Sequence, residues 1–148
     1  MEFALKLCVV FALMEATQLT PLEDQKKKSM MVLETCRKEH QIPDGPLPEL
    51  KEDSPRNLMC LVKCVMEGNY NKSISDIDSL HSEYQKRLRF LGVADEEFFT
   101  KEEGVYSKCK DVTKNVSDDC EKAAKLMLCV DKVSKTDGVK NPKTLLKE

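Results

Sequence analysis

The stretch CLVKCVMEG, residues 60–68, places two thiols with three residues between them in an apolar segment that ends at a glycine. Thiols serve redox exchange, metal ligation or structural cross-linking. A redox pair uses two intervening residues, and zinc ribbons add a second ligand pair. The chain has seven cysteines but only two histidines, His40 and His81, and neither stands at a metal-ligand spacing from the other or from a free thiol. His81 is followed by Ser82, so it opens no His-Asp pair, and neither a nucleophile elbow nor a phosphate loop occurs. Catalysis is not expected, and nothing calls for a cofactor or a metal. Cross-linking remains.

The first sixteen residues, MEFALKLCVVFALMEA, supply the compartment that cross-linking needs. Lys6 precedes an apolar run from Leu7 to Met14, and Ala16 offers a cleavage point. Such a run fits an export signal and is too short to span a bilayer. Residues 1–16 are therefore read as a signal peptide and residues 17–148 as one secreted, extracellular domain without membrane insertion. Cleavage leaves 132 residues with six cysteines, 23 basic and 24 acidic side chains. An even cysteine count behind an export signal reads as a disulfide framework. Near-neutral charge leaves no footprint for nucleic acid. One domain of this size buries a modest core.

The elements that position the cysteines read as helices. TPLE at 20–23 is a capping box that starts a helix from Pro21 to about His40. IPDGPLPEL then forces a loop, with one helical turn around Leu47 to Glu52. Ser54 and Pro55 open the next helix, and Gly68 closes it. From Ser73 or Ser75 a helix carries Ile77, Leu80, His81, Tyr84, Leu88 and Leu91 on one face and ends at Gly92. TKEE at 100–103 reads as a second capping box, opening a helix with Val105, Tyr106, Cys109 and Val112. Ser117 caps the last helix, Asp118 to about Ser134, whose LMLCV segment is apolar on every side and so belongs at the centre. The fold class is all-α, about six helices, because β-branched alternation is scarce.

Cys60 and Cys64 then share one helix face, a turn apart, which suits bonds to two different neighbours. Cys120 and Cys129 lie on opposite faces of the last helix and roughly 13 Å apart along it, too far to bond. Six cysteines allow 15 pairings, and these two exclusions leave ten.

The spacing Cys36-x23-Cys60-x3-Cys64-x44-Cys109-x10-Cys120-x8-Cys129 resembles the six-cysteine signature of insect odorant-binding proteins, with x3 and x8 as its specific intervals. The resemblance covers residues 17–148, with x44 at the long end. It implies three interlocked disulfides, Cys36–Cys64, Cys60–Cys120 and Cys109–Cys129, around an apolar cavity. It also implies a carrier that takes small hydrophobic molecules through aqueous fluid, with an olfactory receptor as a further partner. With all six cysteines paired, no thiol is left as a nucleophile.

Candidates for the cavity wall follow from periodicity. They are Met30 and Leu33 on the first helix; Leu61, Val65 and Met66 beside the paired cysteines; Leu80 and Leu88 with Tyr84; and Leu126, Met127 and Val130 at the centre. Methionines suit ligands of varied shape. Tyr70, Tyr84 and Tyr106 are candidate polar handles, Tyr106 foremost because it precedes Cys109 by one turn. His81 reads either as a pH-sensitive gate or as a helix-face histidine half in solvent. Leu145 and Leu146, in an otherwise polar tail, read as a lid or as a frayed end. Sequons at Asn71 and Asn115 permit glycosylation. Two other roles compete: a stapled protein that binds another protein through an apolar patch, and a non-olfactory carrier of the same fold.

Overall fold

The computed structural model describes residues 20–140. The signal segment 1–16 and the two tail leucines lie outside the described residues. Five α-helices and one 3₁₀ turn make up the regular structure, with no strand among the described residues. They are α1 (Pro21–Glu39), α2 (Arg56–Tyr70), α3 (Ile77–Leu91), α4 (Glu96–Lys110) and α5 (Asp119–Thr136), with the turn at Asp111–Thr113. The expected turn of helix at Leu47 to Glu52 is absent, which is the difference from about six. Its prolines and Gly45, at φ 106°, keep the segment irregular. The Arg37 guanidinium ties it down by donating to the carbonyls of Pro43 and Gly45.

Local chemistry sets most helix ends. Thr20 and Glu23 form the reciprocal capping box of α1. Asp76, Asp95 and Asp118 cap α3, α4 and α5, each accepting from a backbone N–H three residues on. Three expected starts are thereby corrected. The α3 cap is Asp76, beyond Ser73 and Ser75, and the α5 cap is Asp118, not Ser117. Helix α4 begins one turn before TKEE, so Thr100 lies inside it, with its hydroxyl donating to the Glu96 carbonyl. Ser54 does not cap α2 either; it accepts from the Lys51 N–H, and Pro55 takes the cap position.

Gly68 does not end α2, which runs two residues further to a left-handed Asn71 at φ 51°. Its role is packing. A Cβ built on Gly68 would meet Val32 Cγ1 at 2.7 Å, so the missing side chain lets α2 lie close against α1. The pair is antiparallel: Ser29 bonds Asn69, Val32 faces Gly68, and Cys36 is bonded to Cys64.

Three apolar clusters form the interior. Cys36, Leu58 and Leu61 fill the space between α1 and α2. Ile74, Leu80, Val105, Cys109, Ala123 and Leu126 form the centre. Leu88, Phe98 and Phe99 close the far ends of α3 and α4. Burying each large side chain of this kind contributes about 1.5–3 kcal/mol. Ala123 and Ala124, both buried, let neighbouring helices approach α5, which packs most extensively on α2. Within LMLCV, Leu126 is buried but Met127 is 40 % exposed, so the helix is central with one apolar edge turned outward.

The disulfides join α1 to α2 through Cys36–Cys64, α2 to α5 through Cys60–Cys120, and α4 to α5 through Cys109–Cys129. Helix α3 carries no cysteine. Four helices form a covalently connected frame, and α3 is held to it by non-covalent contacts alone.

Candidate ligand-binding site

Helix α3 lies antiparallel to α4 along a line of polar contacts. Arg89 pairs with Glu96 at one end, and Lys110 donates to both oxygens of Asp78 at the other. Between them, His81 Nε2 stands 2.9 Å from both oxygens of Glu102. A nitrogen facing two acceptor oxygens must carry the hydrogen, which fixes His81 with its Nε2–H donating. The two side chains are only 11 % and 12 % exposed. Gln85 donates its amide to Glu102 and to Glu103.

Aromatic rings hold this pair in place. The Tyr106 ring stacks on His81, centroids 3.7 Å apart and planes within 2°. The Tyr106 hydroxyl donates to Asp78. Burial first, then that bond to a carboxylate, pushes the Tyr106 phenol well above its ordinary range. Tyr84 lies edge-on to Tyr70 at 5.9 Å. Its phenol is also pushed far up, by burial and then by the nearby Glu102 charge. Tyr70 moves the same way through burial, opposed by the Arg87 guanidinium over its ring. All three phenols stay protonated and can act as hydrogen-bond donors. Asp78 is held below the usual carboxylate range by Lys110 first and Tyr106 second.

The expected wall residues are distributed over the three clusters. Leu33, Leu61 and Val65 pack between α1 and α2. Leu80, Leu126, Met66 and Val130 belong to the centre. Tyr84 and Leu88 sit in the α3–α4 cluster, and Tyr106, buried but in none of the three clusters, stacks on His81. Met30, at 63 % exposure, and Met127 face outward. His81 is largely enclosed against Tyr106 rather than half in solvent. Asn71 and Asn115 are both exposed at chain turns.

Glu102 was not legible as a site residue. Reading TKEE as a helix start places it in an exposed first turn. The usable signal was its spacing: Phe98 lies four residues before it, and Val105 and Tyr106 three and four after, all buried. It is the charged member of an otherwise apolar face.

Open hollows mark the surface of the described residues, two of them with apolar linings. One of about 450 Å³ is lined by Ile42, Pro43, Pro48, Pro55 and Leu58 with a charged rim. The other, about 440 Å³, lies along α1 between Met30, Met31 and the charged residues around them. Among the described residues two groups gather metal-ligating atoms, Glu39–His40–Cys64 and His81–Glu102–Glu103. The Cys64 sulfur is spent in its bond to Cys36, and Glu102 is satisfied by His81 and Gln85. No described helix is long and apolar enough to cross a membrane.

The model of the PBP/GOBP family matches residues 19–133, well over half the chain. No curated protein and no solved structure matches it. The family match and the three disulfides together place the chain in the PBP/GOBP family, as a six-cysteine odorant-binding protein of a family of carriers, not enzymes.

Proposed function

We propose that the chain is a secreted carrier for one small hydrophobic molecule, which it binds reversibly and moves through aqueous fluid to a receptor. The supporting observation is the family match over residues 19–133. Export would follow from residues 1–16, and the disulfides suit an oxidising compartment. The binding region is the seam where α3 meets α4, because Leu80 and Val105 of the central cluster and Leu88 and Phe98 of the α3–α4 cluster lie on these two helices. Val139 touches both clusters. Helix α3 moves to admit ligand while the bonded frame stays fixed, so the occupied volume is created as ligand enters. Partition into that space requires no covalent step.

Titration of the purified, oxidised protein with a fluorescent apolar probe tests this. Saturable binding of one probe per chain, displaced competitively by small volatile compounds, is expected. The exposed Met30–Met31 pair would favour a protein-binding role instead. A folded protein that binds no probe would support that alternative and refute the carrier.

A further inference from the structure

Helices α3 and α4 face each other through apolar and polar side chains, and two enclosed polar groups, His81 of α3 and Glu102 of α4, meet beside Gln85. On α3, His81 lies between Leu80 and Tyr84; on α4, Glu102 lies between Phe98 and Val105. Their near neighbours in the chain belong to both clusters, Leu80 and Val105 to the central one and Phe98, with Tyr84 packed against its cluster, to the other. An apolar chain lodged in either cluster therefore presents its end to His81 and Glu102. From this we propose that the site selects apolar ligands ending in a hydroxyl group, whose oxygen inserts between His81 Nε2 and the Glu102 carboxylate. The inference rests on the carrier reading and adds the ligand's chemical class.

Hydrogen-bond valence carries the argument. The pair consists of one N–H donor and one acceptor-only carboxylate, 2.9 Å apart. Whatever separates them must accept from the first and donate to the second, or leave a largely enclosed group unpaired. A hydroxyl does both. An aldehyde or ester oxygen accepts from His81 but offers Glu102 nothing. A protonated amine donates to Glu102 but has no lone pair for the His81 Nε2–H, and moving that proton to Nδ1 leaves it 4.0 Å from Glu103, beyond hydrogen-bond reach. An alkane replaces neither bond. Gln85 lies on α3 and draws away from Glu102 together with His81, so the carboxylate then depends on the incoming group for a donor.

Geometry permits the insertion. With bonds of about 2.9 Å from nitrogen and 2.7 Å to the carboxylate, at a tetrahedral oxygen, nitrogen and carboxylate separate to about 4.5 Å. Helix α3 has to withdraw by about 1.5 Å, a displacement open to it as the one helix among the described residues that no disulfide ties.

Probe displacement by compounds of one chain length, namely a primary alcohol, its aldehyde, its amine and the alkane, tests the inference without any variant. The alcohol is expected to displace the probe at about 10- to 100-fold lower concentration than the other three. In Glu102→Gln, with folding checked by circular dichroism, the amide can donate to a carbonyl, so the alcohol's advantage over the aldehyde should fall to within about threefold. Equal potency of alcohol and aldehyde in the wild-type protein, a tighter amine, or an unchanged ratio in the variant would overturn the hydroxyl selection and leave the carrier reading standing. Failure of every compound, and of the probe itself, would remove both.

Discussion

Replacing Gly68 with alanine should destabilise the protein by about 1 kcal/mol, although helix propensity alone favours alanine by about that amount. The reversal comes from the contact with α1. The new Cβ would stand 2.7 Å from Val32 Cγ1, where carbon atoms pack at about 3.5–4.0 Å. Val32 is β-branched and sits inside α1, where one rotamer dominates, so it cannot swing aside. The helices cannot ease apart freely either. Cys36 follows Val32 by one turn, Cys64 precedes Gly68 by one turn, and the two are bonded. Overpacking of this kind costs about 1–3 kcal/mol, which exceeds the propensity gain. Denaturant unfolding of the oxidised protein measures the difference. Adding Val32→Ala opens the space and should restore the benefit of alanine, giving a coupling of at least about 1 kcal/mol in the double-mutant cycle. A Gly68→Ala variant that is more stable than wild type, with an additive cycle, would refute the close approach of α1 and α2.

Removing the Cys60–Cys120 bond by double serine substitution opens a loop of 60 residues and should cost about 4 kcal/mol, more than either of the shorter bonds, in non-reducing denaturant titrations. Asp95→Ala should lose about 1 kcal/mol of stability as the α4 cap disappears, whereas Thr100→Ala changes little; the reverse ranking would move the helix start back to Thr100. Stability should hold above about pH 5 and fall on acidification below about pH 4. Asp118 is held low by the Glu121 N–H and then Arg56, and Asp76 by the Ser79 hydroxyl and then its N–H. Groups depressed in the folded state stabilise it above their unfolded pKa and lose that contribution as pH falls through their folded values. Asp118→Asn should flatten the acid limb, and stability rising toward pH 3 would contradict the assignment.

Legibility of the sequence tracked how local the deciding interaction was. The start of α1 depends on Thr20 and Glu23 alone, and it reads directly from four letters. The Gly92 stop of α3 is equally local. The Gly68 stop failed because the reason for that glycine is Val32, 36 positions away. TKEE at 100–103 reads as the start of α4, but Asp95 caps it, and the burial of Phe98 and Phe99 against α3 favours that earlier start. That same choice hid Glu102, whose neighbours turn inward only once the helix begins at Glu96. Helix geometry alone left ten disulfide pairings. The spacing resemblance pointed to one, because the partners are set by how five helices pack, which no single helix records. Likewise, periodicity marks Met30 and Met127 as inward-facing, but it carries no information on whether a neighbour exists to cover them.

Ligand-to-protein nuclear Overhauser contacts, recorded on the labelled protein with a bound probe or alcohol, test the carrier claim most directly. One ligand per chain is expected, with contacts to Tyr84, Leu88 and Val105 on both sides of the α3–α4 seam. Contacts confined to the surface hollow at Ile42 and Leu58, or to the exposed Met30 and Met31, would contradict it.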